Sequence, residues 1–198
     1  SYEQVLLDPF TYIASNPGKN IRGTLIVAFD LWLNVPEAKL DVIARVVDMV
    51  HNVFLMLDDI EDDSELRRGK PAAHKVYGIP QTINSASYAL WIAHQRLLSI
   101  WPSATDGIWE RHNELLCLHR GQGLDMHWRD SFTCPTEDEC IEMARGKTNS
   151  LLRLSVRLMM ADLVHLIDLI GVFAQIRDDY MNLQSKEVSG ISGTVTKL

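Results

Sequence analysis

Apolar residues recur at spacings of three and four along most of the chain, and runs alternating with a period of two are nearly absent. A chain patterned this way can bury its apolar faces only by packing helix on helix, so the expected fold class is all-α. In IRGTLIVAFDLWLNV, Leu25, Ala28, Phe29 and Trp32 fall on one helical face. Pro36-Glu37 marks a helix start, because proline suits a first turn and a carboxylate suits the positive end of the helix dipole. The pattern then runs to about Glu61. Further helices are expected over 81–100, 104–129, 136–160 and 161–184. Turn signals stand at Asn16-Pro17-Gly18, Arg68-Gly69-Lys70-Pro71, Gly78-Ile79-Pro80 and Trp101-Pro102-Ser103. RLMMADLVHL runs two apolar segments together without a turn signal, which reads as one long helix or as a join. The tail SKEVSGISGTVTKL is small and polar and reads as loop. At 198 residues the chain suits a single domain with a sizeable core.

A net charge of -7 argues against a nucleic-acid partner, which selects for basic surfaces. No apolar stretch approaches the roughly 18 residues of a membrane span, and SYEQVLLDPF lacks the pattern of a secretory leader. Cys117, Cys134 and Cys140 include no C-x-x-C pair, so free thiols in a reducing cytoplasm are expected and structural zinc is not.

The densest charge lies in FLMLDDIEDDSELRRG. On a helix, Asp58 and Asp62 share a face, as do Asp59 and Asp63, and each like-charged pair costs about 0.2–0.5 kcal/mol even in water. These acids also stand at a helix C-terminus, where the dipole already disfavours anions. The face built from Val46, Val50, Val53, Phe54 and Leu57 draws that end toward the core. Desolvated carboxylates need cations, and an all-oxygen ligand set selects a hard one. The D-x-D-x-D-G calcium loop is absent, which leaves Mg²⁺ shared between carboxylates and phosphates. The plainer alternative is an acidic turn paired with Arg67 and Arg68.

A second pair, Asp178-Asp179, closes another apolar helix in FAQIRDDYMNL, with Asn182 four residues after Asp178. Two such helices face to face would line a bowl with carboxylates, and a metal-filled bowl favours diphosphate. Lys19 and Arg22 sit at a helix start, where free N–H groups also favour phosphate. Arg67, Arg68, Lys147 and Thr148 are further candidates, although each basic residue taken singly reads as surface charge. His51 taken alone reads as a satisfied core histidine.

PGKNIRG, HNVFLMLDDIEDDSELRRGKPAAHKVYG, INSASYAL, GQGLDMHWRD, KTNSLLRL and FAQIRDDYMNL follow one another in this order. On these stretches the chain resembles a trans-isoprenyl diphosphate synthase of the geranylgeranyl diphosphate synthase type, over about residues 15–186. The resemblance implies an antiparallel helical bundle around a central cavity, with residues 1–198 forming one prenyltransferase domain whose C-terminal part is either incomplete or joined across missing segments. It implies that Asp58, Asp59 and Asp62 form a first metal motif, with Asp58 and Asp62 the principal ligands, and that Asp178 and Asp179 open a second. Mg²⁺ is the implied cofactor, about three ions with diphosphate bound. Arg67, Lys147, Thr148 and Gln175 would hold the allylic diphosphate. Lys19, Arg22, His51 and Arg68 would hold isopentenyl diphosphate. Gln122 and Asp125 match a G-Q-x-x-D element with a supporting role.

The implied reaction ionises the allylic diphosphate, adds isopentenyl diphosphate to the cation and loses a proton, with no side-chain base. Val53 and Phe54, just before the first motif, would set product length; Val53 is small enough for a C20 product, with C25 open. Homo-oligomers, dimers or dimer-based hexamers, are implied, and such domains also occur fused to a terpene cyclase. Two features depart from the family pattern. Asn182 replaces the last acid of the second motif, and SGISGTVTKL stands where further helices and a basic segment are expected. Rival readings are a non-catalytic helical subunit that regulates a partner synthase, and a class I terpene cyclase. Two basic sets, Lys19/Arg22 and Arg67/Arg68, suit two diphosphates and weigh against the cyclase.

Overall fold

The computed structural model describes residues 1–16, 18–100, 105–159, 173, 176 and 177. They belong to two units, Ser1–Ala104 and Thr105–Leu198. Among the described residues the secondary structure is helical throughout, apart from one short hairpin.

The first unit opens with α1 (Tyr2–Ala14) and α2 (Ile21–Leu33). It continues with α3 (Glu37–Glu61), strands β1 (Leu66–Arg67) and β2 (Lys70–Pro71), α4 (Ala73–Tyr77) and α5 (Ile79–Ile100). Helix α3 begins at Glu37 with Pro36 as its cap, as the proline–glutamate pair predicts. Its valine face is the spine of the core: Val46, Val50, Val53 and Met56 are buried. Val53 and Met56 pack with Ile13 of α1 and with Ala86 and Ala89 of α5. Burying side chains of this size contributes about 1.5–3 kcal/mol each, and the alanines on α5 let α3 approach closely. Helix α1 runs antiparallel to α5, since Glu3 meets the Tyr88 hydroxyl while the Phe10 amide meets Ser85 Oγ.

Helix α2 buries Ile26 and Phe29, but not the whole face read from its sequence: Trp32 is 70% exposed and stands edge-on to Phe29. Helix α1 was not anticipated from the pattern, and neither was the hairpin.

The second unit contains α6 (Thr105–Ser131), α7 (Glu137–Ala144), a π-helical turn at Arg145–Asn149 and α8 (Ser150–Met159). Thr136 caps α7 through a capping box with Glu139. The segment from Glu137 to Met159 runs antiparallel to α6, because Asp125 meets Lys147 while Glu114 meets Arg153 and Arg157. The expected helix over 161–184, including Gln175, Asp178, Asp179 and Asn182, lies outside the described residues except at Phe173, Ile176 and Arg177, which are helical.

Candidate functional site

The acidic end of α3 is closed by a Schellman motif. The Ser64 amide donates to the Asp59 carbonyl at 2.8 Å and the Asp63 amide to the Ile60 carbonyl at 3.2 Å, with Asp63 in the left-handed region at φ +48°. The chain therefore reverses directly after Asp58–Asp62 and enters the hairpin. Leu66 pairs with Pro71 and Arg67 with Lys70. Arg68 and Gly69 turn the corner with φ of +53° and +77°, the signs a two-residue hairpin of this twist requires.

This reversal brings Arg67 back onto the acids. Its Nε donates to Asp59 Oδ1 at 2.8 Å, while Nη2 donates to the same oxygen at 2.5 Å and to Asp58 Oδ2 at 3.1 Å. The two carboxylates are not equivalent: the Asp59 side chain is 1% exposed and that of Asp58 is 23% exposed. Burial pushes the Asp59 carboxyl above its ordinary range, and the hydrogen bond and charge of Arg67 pull it partway back. Burial disfavours the Arg67 cation, but the hydrogen bonds and charges of Asp59 and Asp58 together outweigh that and hold its pKa above the ordinary value. The plainer alternative read from the sequence, an acidic turn paired with arginine, therefore describes Arg67. Asp62 caps the helix and is half-buried beside Asp58, with its amide on the Asp58 carbonyl at 2.9 Å.

Arg68 turns the other way. Its guanidinium donates to the Asn16 carbonyl and lies over Gly18, about where a Cβ on that glycine would reach it at 3.0 Å. The Asn16 amide in turn donates to the carbonyls of Arg67 and Arg68, each at 3.4 Å. The loop carrying Lys19, which is exposed, is thus latched to the hairpin. Arg22, on the first turn of α2, reaches His51 Nε2 at 3.1 Å. A guanidinium can only donate, so Nε2 must accept and the imidazole proton sits on Nδ1. Burial, followed by the charges of Arg22, Arg68 and Arg67, lowers the His51 pKa to about 3. Three guanidinium fields therefore act on one half-buried neutral histidine, two helical turns before the acids.

In the second unit α6 crosses the π-turn at two glycines. A Cβ on Gly121 would collide with the Lys147 amide nitrogen and would come within 2.8 Å of the Gly146 carbonyl carbon. One on Gly146 would meet the Cys117 carbonyl at 2.9 Å. At Gly146 this backbone-to-backbone crossing is taken up by a widened turn. Lys147, in that turn, donates to Asp125 Oδ2 at 2.6 Å. Gln122 is buried and Thr148 is half-buried. Val53 is fully buried in the first unit's core, and Phe54 beside it is half-buried.

The residue types fit a hard cation shared with phosphate. Asp58 and Asp62 are half-buried carboxylates one turn apart, and Asp59 Oδ2 is buried without a hydrogen-bond partner. Among the described residues no group of three or more His, Cys, Asp or Glu forms an ion cage of its own. The latch role of Asn16 and the crossing role of Gly121 were missed in the sequence. Each had a local signal, the Asn16-Pro17-Gly18 turn and the first letter of G-Q-x-x-D, but their partners lie 51 and 25 positions away.

The largely helical first unit thus brings an acidic helix end and Arg67 together, and comparison with known proteins gives the family. The polyprenyl synthetase family profile matches residues 3–191, and the chain belongs to that family. It is 51% identical over 200 residues to a geranylgeranyl pyrophosphate synthase of Mucor circinelloides f. lusitanicus, covering 98% of this chain and 65% of that protein. It is 51% identical over 189 residues to a geranylgeranyl pyrophosphate synthase of Aspergillus fumigatus, covering 92% of this chain and 52% of the relative. A third such synthase, from Penicillium canescens, is 49% identical over 191 residues, covering 93% of this chain and 56% of the relative. The chain thus spans between about half and two thirds of the length of these relatives.

Proposed function

We propose that the protein is a Mg²⁺-dependent prenyltransferase that condenses isopentenyl diphosphate with allylic diphosphates of C5 to C15, giving geranylgeranyl diphosphate. The observation that carries this reading is the juxtaposition at the end of α3. Carboxylates suited to Mg²⁺, with Arg67 on them, stand beside a separate cationic locus where Arg22 meets His51 and Arg68 lies over the loop that carries Lys19. One locus suits a metal-bound diphosphate and the other a second diphosphate.

Asp58 and Asp62 would hold Mg²⁺ with Asp178 and Asp179, while buried Asp59 anchors Arg67. When bound, Mg²⁺ supplies charge neutralisation at the leaving diphosphate. Arg67, Lys147, Thr148 and Gln175 bind the allylic diphosphate; Lys19, Arg22 and Arg68 bind that of isopentenyl diphosphate. The allylic C–O bond breaks and the diphosphate leaves with the electron pair. The isopentenyl double bond then forms a C–C bond to the allylic cation, and a proton passes to the departed diphosphate as the new alkene forms. His51, with a pKa of about 3, is too weak a base for that proton and serves by orienting Arg22.

The reading is tested by incubating the chain with Mg²⁺, isopentenyl diphosphate and C5, C10 or C15 allylic diphosphates, with products identified by mass spectrometry. The expected product is C20 diphosphate. A cyclic hydrocarbon made from geranylgeranyl diphosphate alone would replace this reading with the cyclase. Homo-oligomers are part of the same proposal. Val27, Leu31 and Trp32 expose apolar surface on α2, and sedimentation of a lone protomer at micromolar concentration would remove that part.

A further inference from the structure

Asp125 combines three features that a surface acid lacks. Its side chain is 14% exposed, its Oδ2 accepts from Lys147 Nζ at 2.6 Å, and its Oδ1 is buried without a hydrogen-bond partner. The pair is not a chance meeting of long side chains. Gly121, one helical turn before Asp125, lies against the backbone of Gly146 and Lys147, so the crossing fixes both ends of the bridge. The π-turn at Arg145–Asn149 keeps Lys147 on the α6 side of its helix. Holding a half-buried carboxylate and ammonium together contributes little stability by itself, because desolvation offsets most of the attraction. A lysine stem has four rotatable bonds, however, and an anchored ammonium has already lost that freedom before a ligand arrives.

We propose that Asp125 is a positioning residue for Lys147, presetting the ammonium that receives a diphosphate oxygen. An ammonium carries three N–H donors and can serve a carboxylate and an incoming oxygen at once. The proposal rests on the reading of Lys147 as a diphosphate ligand. It adds the residue that aims it, and it lies wholly within the second unit.

The test uses calorimetric binding of inorganic diphosphate in the presence of Mg²⁺ to the whole chain and to Asp125→Asn, Asp125→Glu and Lys147→Gln, and to each Asp125 variant combined with Lys147→Gln. Urea midpoints confirm folding. Asp125→Asn should weaken binding by about tenfold, within the range that orienting partners commonly carry. Asp125→Glu, which keeps the charge on a longer arm, should weaken it by about threefold. In the Lys147→Gln background neither change should weaken binding further, and a purely structural role would not give this non-additivity. Unchanged binding in Asp125→Asn, or an equal loss with and without Lys147, overturns the proposal. If Asp125→Asn does not fold, Asp125→Glu decides by the same criterion. Failure of the unmodified chain to bind diphosphate instead overturns the functional reading beneath it.

Discussion

Arg67→Met removes the cation that neutralises the buried end of α3. The Asp59 carboxylate, with its side chain 1% exposed, would lose donors at 2.8 and 2.5 Å. Asp58, 23% exposed, would lose one at 3.1 Å and can turn to water. The penalty therefore falls on Asp59, and breaking a buried pair from one side costs about 3–5 kcal/mol. Asp59→Asn should cost less, about 1–3 kcal/mol, because Arg67 is 26% exposed and can recruit water. The double variant should recover much of the Arg67→Met loss, since no buried charge is then left unpaired. Urea unfolding at neutral pH in EDTA measures all three. A loss below about 1 kcal/mol for Arg67→Met, or a double variant as weak as that single one, would refute the reasoning.

An imidazole in the unfolded chain takes a proton near its ordinary pKa of 6.5, whereas folded His51 holds off until about 3. Between those values the unfolded state binds more protons, so this contribution is full above pH 6.5 and drains as pH falls toward 3. By pH 5 the loss amounts to about 2 kcal/mol, at about 1.4 kcal/mol per unit. His51→Gln, which keeps an acceptor for Arg22, should lose that part of the pH slope in urea titrations; an unchanged slope would contradict it. Val53→Phe inserts a ring among Ile13, Met56, Ala86 and Ala89, and should cost about 1–3 kcal/mol while shortening the product. Denaturant midpoints and product chain length check the two parts separately, and an unaltered chain length would remove Val53 from product control.

The course of α3 was legible because its start, its valine face and its acidic end are all local signals. Helix α1 was not, because Pro9 sits within it and argues against a helix that contacts to α5 and α3 stabilise. The hairpin escaped notice because Arg68 occupies a left-handed position usually given to glycine or asparagine. The acids of the first motif could be picked out as a set, but not their division of labour. That Asp59 is buried beneath Arg67 while Asp58 and Asp62 keep contact with the surface depends on how the hairpin folds back. Likewise, the need for a glycine at 146 shows only beside Gly121.

The central claim is that the end of α3 becomes a diphosphate site through Mg²⁺ held by Asp58 and Asp62. Its most direct test is calorimetric titration of inorganic diphosphate into the unmodified chain, Asp58→Ala and Asp62→Ala, each with Mg²⁺ and with EDTA. Mg²⁺ should add a tight diphosphate-binding phase to the weaker, metal-independent binding at the Lys19, Arg22 and Arg68 locus, and either substitution should weaken that Mg²⁺-dependent phase by orders of magnitude while leaving the urea midpoint nearly unchanged. An isotherm unchanged by EDTA, or a Mg²⁺-dependent phase that survives both single substitutions, would contradict the account.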